Sequence, residues 1–173
     1  MKITRWYYAI IFLMVSAGGL TAAQASPYQA DTVKPLIFPL PLEMQLKNGN
    51  FIINKSTFIA QAENGSKEDA FLNNLLAHDL ADKFYFDIPI SKRASLTDKD
   101  KFILIGSLAN PLVKKYCEQN GLISELKKLG DEGYILSVSA NAVVVAANTK
   151  NGALFGLESL RHIIHQEDGN III

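Results

Sequence analysis

The chain has 173 residues, with 17 Lys and Arg against 17 Asp and Glu, a single cysteine, and apolar residues at nearly half of its positions. That length supports one domain with its own core. A formal charge of zero supplies no phosphate-binding field, which argues against a nucleic-acid partner, and a lone Cys117 cannot close an internal disulfide.

The first 25 residues read as an export signal. Lys2 and Arg5 precede an apolar run over residues 6–15, and Ala23-Gln24-Ala25 supplies a small-residue cleavage site. Ten apolar positions fall short of the about 20 that a spanning helix needs. The expected location is therefore periplasmic or secreted, with no membrane association after cleavage. Removal leaves 148 residues carrying 15 Lys and Arg against 17 Asp and Glu. Residues 26–34 read as a polar, flexible leader.

Pro35, Pro39 and Pro41 predict an extended start, because proline biases its predecessor away from helix. Residues 43–47 and 51–54 are short strand candidates joined across Asn48-Gly49, a hairpin-turn pair. A third strand is expected over residues 57–61. Ser66 and Asp69 then form a capping box ahead of a helix. Its predicted apolar face comprises Phe71, Leu72, Leu75, Leu76, Leu80 and Phe84. A short strand over residues 87–91 follows. The apolar run Phe102-Ile103-Leu104-Ile105 predicts a central strand buried on both faces.

Asn110-Pro111 starts a second helix, with proline at the first helical position. Residues 134–139 and 142–147 predict a hairpin across Ala140-Asn141. A last helix carries Ala153, Leu157, Leu160 and Ile164 on one stripe, with Gly152 and Gly156 one turn apart for close approach to the sheet. These elements predict an α+β fold: a mixed, largely antiparallel sheet with helices packed mainly on one face.

Chemistry-bearing patterns are sparse. His162 and His165 stand three apart but lack a third ligand, so no metal site is expected. His78 is expected on the solvent side of the first long helix. Asp131-Glu132 is a carboxylate pair at a strand entrance, with no surrounding fold to tune it for acid–base work. Asn54-Lys55-Ser56 and Asn64-Gly65-Ser66 match glycosylation sequons. Tyr28, Tyr85 and Tyr116 are candidate stacking surfaces for sugars, scattered along the chain. Cys117, in a helical context, is expected to be buried and inert. No catalytic residue, cofactor site or metal site is therefore assigned.

Four segments in register resemble the N-terminal accessory domain of family 20 glycoside hydrolases, the β-N-acetylhexosaminidases. They are Phe38-Pro39-Leu40-Pro41; Gly49-Asn50-Phe51-Ile52-Ile53; Glu132-Gly133-Tyr134-Ile135-Leu136-Ser137-Val138; and the helix from Gly152 through Phe155-Gly156-Leu157 to Leu160. His162 departs from the family pattern, which often has Gln there. The resemblance spans residues 35–164 and implies an accessory domain over residues 35–168, with residues 169–173 beginning the link to a catalytic (β/α)₈ barrel. Such a barrel needs at least about 200 residues. The resemblance further implies substrate-assisted hydrolysis, in which the 2-acetamido carbonyl attacks the anomeric carbon. The Asp and Glu for that chemistry belong to the barrel and map onto no residue here. The expected function is a non-catalytic part of an exported enzyme that removes terminal N-acetylhexosamine from glycans, its glycan being met through the barrel. The alternatives are a free-standing carbohydrate-binding or interaction module, and an accessory domain of a family 84 or family 67 glycoside hydrolase.

Overall fold

The computed structural model describes residues 41–45 and 49–173. The residues expected to form an export signal and leader, together with Tyr28, Pro35, Phe38 and Pro39, lie outside the described residues, as do residues 46–48 of the expected first hairpin.

The elements, in chain order, are β1 (Ile52–Ile53), β2 (Thr57–Ala62), α1 (Lys67–Phe84), β3 (Ile90–Arg93), β4 (Lys101–Ser107), α2 (Pro111–Gln119), α3 (Ile123–Leu126), β5 (Tyr134–Val138), β6 (Ala142–Ala147), α4 (Lys150–Ile163), β7 (His165–Glu167) and β8 (Asn170–Ile172). Five strands form one sheet in the order β3-β2-β4-β6-β5, and β1-β8-β7 form a second, smaller one.

The helix starts follow from side-chain caps. Ser66 Oγ accepts from Asp69 N at 3.0 Å and Asp69 Oδ2 accepts from Ser66 N at 3.1 Å, the reciprocal bonds that the sequence predicts for α1. Asn110 Oδ1 accepts from Leu112 N at 2.9 Å and from Val113 N at 3.4 Å at the start of α2. Thr149 Oγ1 accepts from Gly152 N at 3.2 Å and caps α4.

The α+β class and the mixed sheet agree with the sequence reading. The antiparallel character, however, is confined to β5–β6 and to the small sheet. Strands β3, β2, β4 and β6 run parallel, which corrects the expectation of a largely antiparallel main sheet. The reason lies in the connections. Helices join β2 to β3 and lie between β4 and the β5–β6 hairpin, and a helical crossover returns the chain to the same end of the sheet.

The long helices α1 and α4 share one face, as expected, and α2 with α3 covers the other. Each face has its own core. Leu72, Leu76, Leu80, Ala153, Leu157, Leu160 and Ile164 pack with Ile59, Ile103, Ile105, Val143 and Val145 on the first. Leu112, Val113, Cys117 and Leu126 pack with Phe58, Ala60, Phe102, Leu104 and Val144 on the second. Alternation along β4 explains the division, since successive side chains point to opposite faces. Phe71 departs from its predicted inward position and is 60% exposed. It sits about 100° around the helix from Leu72, outside the stripe that Leu72, Leu76 and Leu80 turn toward the sheet.

The chain end is part of the fold. β1 pairs with β8, placing Ile52 opposite Ile172 and Ile53 opposite Ile171. Phe51 and Ile173 exchange both backbone hydrogen bonds at 2.9 Å. Asp168 and Gly169 adopt φ of 49° and 78°, the left-handed pair that a tight β7–β8 hairpin requires. In the expected hairpin of residues 43–47 with residues 51–54, the described residues 43–45 form no strand, and the partner of β1 is β8.

Candidate functional site

The residues singled out for chemistry are not gathered into one place. Asp131 and Glu132 are both exposed on the loop before β5. They line an open depression with Leu42, Lys128, Leu129, Gly130 and Gly133. The backbone of Asp131 has a structural use, because its carbonyl accepts the Thr149 hydroxyl and ties this loop to the α4 cap. His162 and His165 do not share a helix face: α4 ends at Ile163 and His165 begins β7. His165 Nδ1 lies 2.9 Å from the Ile163 carbonyl. His78 is exposed, 3.4 Å from Asp82 one turn along α1. Among the described residues no group of three His, Cys, Asp or Glu side chains is placed to hold a metal ion.

The tyrosines serve different ends. Tyr85 is 94% exposed at the end of α1. Tyr116 stacks edge-on against Phe102, with ring centroids 6.2 Å apart, in the core on the α2 side. Burial raises its hydroxyl pKa, and neighbouring Cys117 adds to the effect. The two rings therefore form no shared platform. In the first sequon, Asn54 Oδ1 accepts from the backbone and hydroxyl of Ser56 at 3.0 and 2.7 Å. Asn64 is exposed in the turn after β2.

Cys117 is fully buried, and burial pushes its thiol up to about 11, with the charge of Glu118 adding to the rise. The reactive species is the thiolate, so the folded protein should resist alkylation at pH 8. Stoichiometric labelling with a thiol reagent is expected only after denaturant is added. Rapid labelling of the native chain would contradict this placement.

The best-organised polar groups hold elements together. Arg161 on α4 donates from Nη1 to Glu158 Oε1 at 2.6 Å and from Nε to Asp79 Oδ2 on α1. Burial lowers the Arg161 pKa, but the hydrogen bonds to Asp79 and Glu158 outweigh it and the net shift is upward. Asn148 Nδ2 donates to the carbonyls of Leu126 and Leu129 at 2.6 and 2.8 Å and fastens the α3 loop. Tyr134 Oη and Ser159 Oγ lie 2.6 Å apart between β5 and α4. Sequence reasoning missed all three arrangements. Only the i, i+3 pair of Glu158 and Arg161 carried a local signal.

At Gly156 a Cβ would stand 2.4 Å from Val145 Cγ1 and 3.0 Å from the Tyr134 ring. At Gly152 it would stand 2.5 Å from the Gly133 carbonyl oxygen. The third and fourth sequence segments thus meet through these two glycines, giving the motifs one physical purpose: close docking of α4 on β5 and β6.

The family model described as "Glycosyl hydrolase family 20, domain 2" matches residues 34–172. The chain belongs to this family. It carries a glycoside hydrolase accessory domain. Solved structures share the fold of this family 20 domain. The protein CpGH84D matches at 21% identity and a TM-score of 0.59, over 79% of this chain and 22% of its own. A GH20 exo-β-N-acetylglucosaminidase from Vibrio harveyi matches at 16% identity and a TM-score of 0.53, over 80% of this chain and 17% of its own. The Flavobacterium johnsoniae chitobiase matches at 20% identity and a TM-score of 0.50, over 80% of this chain and 19% of its own. The chain thus spans about a fifth of the length of these proteins. No curated protein matches it. Among the described residues of this family 20 domain, no helix is long and apolar enough to cross a membrane.

Proposed function

We propose that this chain is the non-catalytic N-terminal part of an exported β-N-acetylhexosaminidase. In this reading the same polypeptide continues into a (β/α)₈ barrel, which binds the glycan and removes its terminal N-acetylhexosamine. The family match over residues 34–172 carries the proposal. The fold likeness to the Vibrio and Flavobacterium enzymes supports it, because the matched region is a small share of each. The apolar, basic-headed first 25 residues support export to the periplasm or beyond. Residues 26–34 are then a leader, and the domain's own work is structural support of the barrel.

The geometry fits a supporting role. The polar groups with the best-defined partners join helix to helix and loop to strand, and the carboxylate pair Asp131-Glu132 stands on an open loop. Assaying the chain freed of residues 1–25 with a chromogenic N-acetylglucosaminide should give no turnover above a mock preparation. Turnover that co-purifies with the chain and survives removal of host hexosaminidase would refute the proposal. Saturable binding to chitin oligomers by the same preparation would favour a carbohydrate-binding module instead.

A further inference from the structure

The main sheet has a point where its connections diverge. From β2 the chain leaves through α1 on one face and returns as β3. From its parallel neighbour β4 it leaves through α2 on the other face. In open sheets of parallel strands, the crevice outside the carboxyl ends of two such strands is where ligands bind. Here the domain fills that crevice with its own side chains. Asp69, from the first turn of α1, and Asn110, the cap of α2, are 6% and 1% exposed there.

Both side chains converge on Gly106, near the end of β4. A Cβ there would lie 2.9 Å from Asp69 Oδ1 and 3.3 Å from Asn110 Nδ2. Each residue has already committed one atom. Asp69 Oδ2 accepts from Ser66 N, and Asn110 Oδ1 accepts from the first backbone groups of α2. The remaining amide nitrogen of Asn110 is buried without a partner among the described residues. One turn beyond Asp69, the fully buried Asn73 also has both side-chain polar atoms without a partner among the described residues. Such groups ordinarily bond to protein or to ordered water.

We propose that a single ordered water sits over Gly106, accepting a hydrogen bond from Asn110 Nδ2 and donating one to Asp69 Oδ1. The two atoms ask for opposite properties. An anion would be repelled by the Asp69 carboxylate, and a cation would face the N–H groups of Asn110. Water can accept and donate at once, and buried waters typically join otherwise unsatisfied groups in this way. The bridge ties the start of α1 to the start of α2 across the sheet, and the missing side chain of Gly106 lets Asp69 and Asn110 close over its backbone.

A crystal structure of the chain at a resolution that shows waters provides the test. Density is expected within about 2.6–3.2 Å of both Asp69 Oδ1 and Asn110 Nδ2. The site should be lost in Gly106→Ala, whose unfolding midpoint should fall. Asn110→Ser keeps a capping oxygen but removes the amide donor; it should retain α2, lose the water or its contact with residue 110, and also unfold at lower temperature. A direct Asp69–Asn110 hydrogen bond, a bound ion, or a dry site in the parent structure would overturn the proposal. None of these outcomes depends on whether the proposed hexosaminidase function holds.

Discussion

Ending the chain at Asp168 should abolish or severely weaken cooperative folding. Ile171, Ile172 and Ile173 are all buried, and Ile171 and Ile173 pack in the core beneath α1 and α4. Full burial of an aliphatic side chain is worth about 1.5–3 kcal/mol, so the three together supply roughly 4–9 kcal/mol. A domain's entire stability is typically about 5–15 kcal/mol. The cut also removes the pairing partner of β1 and takes away the two backbone bonds that Ile173 makes with the fully buried Phe51. Denaturant unfolding of the shortened and parent chains, followed by circular dichroism, checks this. Equal midpoints would mean that the small sheet contributes nothing to stability.

Gly156→Val should destabilise the docking of α4 severely. The new Cβ alone would stand 2.4 Å from Val145 Cγ1, and the Tyr134 ring closes the other side at 3.0 Å. That ring is held by its hydroxyl contact with the buried Ser159, so it cannot swing aside freely. Overpacking of this kind typically costs about 1–3 kcal/mol, and valine adds two further methyl groups. Gly156→Ala is the milder case, because alanine recovers about 0.8–1.0 kcal/mol of helix propensity. The expected order of unfolding midpoints is therefore parent first, alanine next and valine last. A valine variant as stable as the parent would show that α4 does not dock as closely as its glycines imply.

Both expectations touch the limit of what a linear reading can reach. The four-residue spacing of Gly152 and Gly156 and the apolar stripe beside them were legible, and so were the inward positions of Ala153, Leu157, Leu160 and Ile164. The Asp168-Gly169 turn is equally local, yet in the linear reading residues 169–173 resemble the start of a link. His162 and His165, three apart in sequence, are divided by the end of α4.

The sequence by itself determined where α1 and α2 start, which residues, Phe71 apart, line the buried faces of α1 and α4, and which run forms the central strand. Each of these is decided within one turn or a few residues: by the reciprocal bonds of Ser66 and Asp69, by the cap of Asn110 ahead of Pro111, by the unbroken apolarity from Phe102 to Ile105. Only the tertiary structure decided that β2, β3, β4 and β6 run parallel, that β1 pairs with the chain's far end, and that Asp79 reaches Arg161. Strand direction and long-range partners leave no local period, since a strand buried on both faces shows the same apolar run whichever way its neighbour points. Those choices follow from packing α1 and α4 against one face and α2 against the other, which is a property of the whole chain and of no segment within it.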